Sequence, residues 1–157
     1  MIEEIYTYFT IEMIFMWLNL GVLPFWFVLI VFPQSQICRV FITSIFPIFI
    51  LSLAYGYLLY LFFNEGYDFI RNFELYLGLD AVSNLFADKA FIILFWLHFL
   101  AMNLFCGGWI VKDSQKFGIN KVLLSFPILI TYFIGPIGLT LYWIIRIFYA
   151  KRVSLYD

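Results

Sequence analysis

Long apolar runs alternate with short polar breaks along this chain, and each run has the length a helix needs to cross a bilayer. They extend from about Ile11 to Phe32, Val40 to Phe63, Ala90 to Val111 and Val122 to Tyr149. As helix, the first covers about 33 Å, enough to traverse the hydrocarbon core. Pro24 inside it predicts a bend. The second holds Pro47 and Gly56, with Tyr55, Tyr57 and Tyr60 towards its end, and the fourth is interrupted by Gly135-Pro136-Ile137-Gly138. Between the second and third runs, Asn64 to Lys89 mixes Glu65, Asp68, Arg71, Glu74, Asp80 and Asp88 with large apolar residues. That mixture suits a short amphipathic element lying at the membrane interface. The pattern predicts an all-α fold, an integral membrane four-helix bundle forming one domain over residues 1–157, with this element between the second and third spans.

Composition strengthens the membrane reading. The chain has 157 residues, 65% hydrophobic and 12% charged, with a mean hydropathy of +0.99. A soluble domain of this size leaves too much surface in water to hide that load. Aromatic residues make up 24%. They serve either as interfacial anchors and bulky packing, which composition alone favours, or as a wall for a flat conjugated ligand. A net charge of −1 excludes a polycationic surface for nucleic acid. Cys38 and Cys106 have no metal-site or disulfide spacing, and the acidic start at Glu3-Glu4 argues against a cleavable leader. With four crossings both ends share one side, which carries Arg71, Lys89, Arg146, Lys151 and Arg152 against Arg39, Lys112, Lys116 and Lys121 opposite. That near-even division assigns no orientation.

The candidate chemistry centres on the run from Trp96 to Ile110. It contains the single histidine, His98, together with Asn103 and the Gly107-Gly108 pair. On a helix His98, Met102 and Phe105 share one face, and Trp96, Asn103, Gly107 and Ile110 form another. A polar group deep in such a run needs a partner within the protein. One histidine excludes a bis-imidazole haem and the histidine clusters of membrane di-iron enzymes. No nucleotide-binding loop or serine-hydrolase elbow occurs. Redox-neutral chemistry by the chain's own side chains remains, with no metal or cofactor expected. Glu12 and Asn19 share a face of the first span with Trp26 close by. Pro136 leaves the carbonyl of Tyr132 without its helical donor, either as a packing kink or as a broken helix widening a cavity. Asn103 is expected to face the interior and bond another helix, near Asn19 or Tyr132. His98 is expected to line a cavity and pair with Asn19 or a freed carbonyl rather than with Glu12.

The motif Trp96-x-His98-x-Leu100-Ala101-x-Asn103-Leu104-Phe105-x-Gly107, the later Asp113, and Gly135-Pro136-x-Gly138-x-x-x-Tyr142-x-x-x-Arg146 resemble the abscisic-acid-deficient-four-like family of small four-span membrane proteins. Asn19-x-x-x-Leu23-Pro24-x-Trp26, Pro33 and Tyr55 also match its amino-terminal half. Plant members are required to make the allenic carotenoid neoxanthin from the epoxide violaxanthin. The resemblance therefore implies a carotenoid- or isoprenoid-handling protein; as an enzyme it would be a redox-neutral, cofactor-independent isomerase of a carotenoid epoxide. On that reading His98, Asn103 and Glu12 are the catalytic candidates. Asn19, Trp26, Tyr55, Trp96, Met102, Tyr132, Gly135 and Pro136 are the ligand-binding ones. The alternative is a non-catalytic bundle that binds a pigment or assists a partner membrane protein. The resemblance implies a pattern with Asp usually at the position of Asn103 and Arg often at that of Gly108, so this chain lacks both charges. Its phenylalanine- and isoleucine-rich composition looks bacterial, which implies a multi-pass protein of the inner membrane.

Overall fold

The computed structural model describes residues 9–151 and 153–154; the acidic Glu3-Glu4 start lies outside the described residues. Among these it is all helical, without strands. Helices α1 (Ile11–Val31), α2 (Phe46–Asn64), α3 (Leu79–Phe86), α4 (Lys89–Lys116), α5 (Lys121–Phe133) and α6 (Gly135–Ala150) follow one another. A π-helical turn at Cys38–Ile42 precedes α2, and a 3-10 helix at Phe69–Tyr76 precedes α3. Three of the described helices, α1, α2 and α4, are long and apolar enough to cross a membrane. Backbone contacts group the chain into two compact units, Met1–Leu20 with Ile50–Leu100 and Gly21–Phe49 with Ala101–Asp157. Each is taken separately.

In the first unit the stretch expected to lie at the interface folds as two eight-residue helices. The Asp68 carboxylate caps the 3-10 helix by accepting from the Ile70 N–H at 2.9 Å. Gly78, at φ 139°, supplies the turn before α3 that an L side chain rarely adopts. Eight residues of α-helix cover only about 12 Å, too little to cross. Ile70, Phe73, Tyr76, Leu77 and Leu79 all project outward.

In the second unit α2 starts later than the apolar run suggests. The hydroxyl of Ser44 accepts from the Phe46 N–H at 3.1 Å, and its own hydrogen goes to the Phe41 carbonyl at 2.6 Å. With Pro47 just inside α2, this is a helix-start signal within an unbroken apolar run. Helix α4 runs past Val111 to Lys116 because Asp113 and Ser114 are themselves buried.

The largest departure from expectation concerns the fourth run, which is not one continuous helix. It breaks at Ile134, with φ −140° and ψ 82°, and α6 folds back along α5. Asn103 of α4 meets Tyr132 and Gly135 at the tip of the reversal. Ten residues further along α4, Asp113 meets Tyr142 and Arg146 of α6. A straight continuation of α5 would carry Arg146 more than about 30 Å from Asp113 along the axis. Thus α5 runs antiparallel to the end of α4, and α6 returns parallel to it. Gly138 makes the reversal possible, since a Cβ there would overlap Thr131 at its hydroxyl and backbone nitrogen.

Candidate functional site

Two constructions carry the chain's polar chemistry. The first lies in the second unit and locks the helical hairpin. Arg146 and Tyr142 are wholly buried, and Asp113 is 3% exposed. The Asp113 Oδ2 accepts from Tyr142 Oη and from Arg146 Nε, each at 2.6 Å. The guanidinium also donates through one terminal nitrogen to the Ser154 carbonyl at 2.9 Å. It lies over the Phe117 and Trp143 rings, 4.8 and 5.0 Å from their centroids. A buried charge is tolerated only when paired and hydrogen-bonded, and here every demand is met within the protein. At the hairpin tip the Asn103 amide donates to the Tyr132 carbonyl at 3.4 Å. Gly135 packs against that amide so closely that a Cβ would overlap it. Trp26 closes the layer, its ring edge-on to Tyr132 at 5.3 Å. It also lies against Gly107, where an added methyl would stand 2.9 Å from the indole. This region is filled, with the polar groups spent on holding it together.

The second construction lies in the first unit and is open. Ile11, Phe15, Ile92, Ile93 and Trp96 line a cleft of about 470 Å³ with Glu12 and Lys89 at its mouth. Lys89 Nζ lies 2.9 Å from a Glu12 carboxylate oxygen, and both side chains are largely exposed. The indole N–H of Trp96 donates to the Asn19 Oδ1 at 3.0 Å, while the Asn19 amide donates to the Phe15 carbonyl at 2.7 Å. That chain fixes the Trp96 ring, which stacks on Phe99 with centroids 5.2 Å apart. Each polar group below the mouth is therefore satisfied, and the wall offered to a ligand is aromatic and aliphatic.

The predicted residues divide between these places. Glu12, Asn19 and Trp96 belong to the cleft, whereas Trp26, Asn103, Tyr132 and Gly135 belong to the hairpin tip. His98 is where expectation fails. It faces outward, as does Met102, and Asn19 is paired with Trp96 instead. The interior face of α4 belongs to Asn103, Gly107 and Ile110, because only the small residues there let neighbouring chain approach. Tyr55 is half-buried, and Pro136 is exposed in the first turn of α6. The Asp113–Tyr142–Arg146 cluster and Lys89 were absent from the predicted site. The signal for the cluster was an arginine inside an apolar run, one helical turn after a tyrosine. Among the described residues no group of three potential metal ligands occurs.

Residues 13–142 match the ABA DEFICIENT 4-like family. The chain belongs to that family. It is 23% identical over 129 residues to Protein ABA DEFICIENT 4, chloroplastic, of Arabidopsis thaliana, an alignment covering 80% of this chain and 57% of the relative. The chain thus spans little more than half the length of the curated relative it matches. No solved structure matches it. The ABA DEFICIENT 4-like match takes in the hairpin tip, Asp113 and Tyr142, and ends just short of Arg146. Glu12 lies immediately before it. Within that match, Asn103 and Gly108 are both buried.

Proposed function

We propose that this protein is a carotenoid-handling integral membrane protein that crosses the bilayer three times, by α1, α2 and α4. In this topology the α5–α6 hairpin enters and leaves on one side, and the 3-10 helix with α3 lies at the opposite interface. The cleft under Glu12 and Lys89 receives the oxygenated end ring of the pigment for a redox-neutral isomerisation. One observation carries this reading: a carboxylate and an ammonium group 2.9 Å apart stand over an apolar, aromatic-walled cleft. Its volume of about 470 Å³ falls within the range of small-molecule sites. The resemblance supplies the substrate class, an epoxide next to a polyene.

Opening such an epoxide needs an acid at oxygen and a base at carbon. Lys89 gives a proton to the oxygen as the C–O bond breaks. The Glu12 carboxylate takes the proton from the neighbouring polyene carbon, and the electrons of that C–H bond become the new double bond. Glu12 then returns the proton to Lys89, so atoms and electrons balance without a cofactor. Trp96, held by Asn19, packs against the ring.

The test is to incubate the detergent-purified protein with an epoxy-carotenoid and separate the pigments by chromatography. Glu12→Gln and Lys89→Met are each expected to slow conversion at least about 100-fold while leaving pigment binding intact. Trp96→Ala is expected to weaken binding itself. Pigment that stays bound and unconverted by the wild-type protein would overturn the isomerase reading. The binding-only alternative would then stand, as the high exposure of the ion pair favours.

A further inference from the structure

A second opening, in the unit formed by Gly21–Phe49 and Ala101–Asp157, takes no part in the chemistry above. One stripe of α4, Leu104, Gly108 and Lys112, forms one wall of a groove of about 410 Å³. The opposite wall is the turn before α2, with Ile42, Thr43 and Ser44. Gly108 is the telling residue. It is buried, yet a Cβ there would come no closer than 3.8 Å to the Ile42 carbonyl and 3.9 Å to Thr43 Cα. Gly107, Gly135 and Gly138 have no such room, so Gly108 is spare space beside a gap rather than a close approach of chains.

The groove is apolar along its length and cationic at one end. Lys112 is exposed and has no ion-pair partner among the described residues. Its neighbour Asp113 points inward to Tyr142 and Arg146. Thr43 and Ser44 donate their hydroxyl hydrogens to the carbonyls of Arg39 and Phe41, so they offer no donor to compete with it. The stripe from Leu104 to Lys112 rises about 12 Å, the length of a substantial part of one acyl chain. An apolar slot running to an unpaired ammonium near the end of a membrane helix matches an amphiphile with a negative head.

We infer that this groove binds one anionic glycerolipid, an acyl chain lying over Gly108 and the phosphate at Lys112. The test is native mass spectrometry of the whole chain released from nanodiscs of equimolar phosphatidylglycerol and phosphatidylcholine. The wild-type protein and Gly108→Ala, whose methyl makes only ordinary contact, are expected to retain one phosphatidylglycerol in preference to phosphatidylcholine. Lys112→Gln is expected to lower that retention about fivefold, the effect of one cation near a lipid surface. Gly108→Leu, which fills the slot, is expected to abolish it. Retention by both Lys112→Gln and Gly108→Leu equal to wild type would overturn the assignment, as would equal retention of the two lipids. Since Lys112 is on the surface, the Lys112→Gln arm does not depend on how Gly108→Leu folds.

Discussion

At the scale of single residues the buried Asp113 carboxylate decides most. It holds two partners from α6, so the worth of each contact depends on whether the other charge is left stranded. Arg146→Met strands a buried carboxylate and is expected to cost about 3–5 kcal/mol. Asp113→Leu combined with Arg146→Met removes both charges and is expected to recover much of that loss. Thermal melts of the three proteins in one detergent check it; a double variant no more stable than Arg146→Met would mean that the pair is not the hairpin's lock. His98 presents the opposite case. It faces outward, so His98→Phe is expected to change stability by less than about 0.5 kcal/mol. Cys38, outside the membrane-length helices, is fully buried, and that burial pushes its thiol up to about 11. Thiolate is the reactive form, so at pH 8 it is scarce and Cys38 is expected to alkylate only on unfolding.

At the scale of elements, the hairpin turns on Ile134 and on which small residue sits where. Pro136 lies in the first turn of α6, where its missing N–H interrupts nothing. Pro136→Ala is therefore expected to cost less than about 1 kcal/mol, far below the roughly 3 kcal/mol that separates proline from alanine inside a helix. Gly138→Ala forces a methyl into Thr131 and is expected to cost at least about 1–3 kcal/mol. If Pro136→Ala proved the more disruptive, α5 and α6 would be a kinked rod and not a reversal. The break itself was legible in Gly135-Pro136-Ile137-Gly138, but the direction of the chain after it was not. A kinked crossing and a returning hairpin bury the same isoleucines and leucines; only Tyr142 and Arg146 tell them apart, through their need for Asp113. The two faces of α4 were likewise legible from spacing, while polarity pointed the wrong way about His98. One imidazole does not outweigh the close packing that Gly107 and Asn103 allow. The late start of α2 was written in Ser44 and Pro47, a capping signal that the surrounding apolar residues hide.

For the whole molecule, the topology proposed above redistributes the basic residues between the two faces of the membrane. On that three-crossing topology, Arg39, Lys112, Lys116, Lys121, Arg146 and Lys151 would fall on one side and, among the described residues, only Arg71 and Lys89 on the other. The four-crossing reading is nearly even because it sets Arg146, Lys151 and Arg152 on the side of Arg71 and Lys89. If the three-crossing topology holds, the positive-inside tendency predicts a cytoplasmic position for the Lys112–Lys116 end of α4, the start of α5 at Lys121 and the end of α6. Acidic residues are a weaker guide, but on the same topology Glu65, Asp68, Glu74, Asp80 and Asp88 would all lie opposite. The check uses single cysteines in a background carrying Cys106→Ala, with buried Cys38 left in place, and a membrane-impermeant maleimide on intact cells. Arg71→Cys is expected to label, while Lys121→Cys and Lys151→Cys are expected to stay protected until the cells are opened. The decisive site is Lys151→Cys, since a fourth crossing would make it label together with Arg71→Cys. Protection of Lys151→Cys alongside Lys121→Cys requires the chain to enter and leave on one side, as the Asp113–Arg146 contact demands.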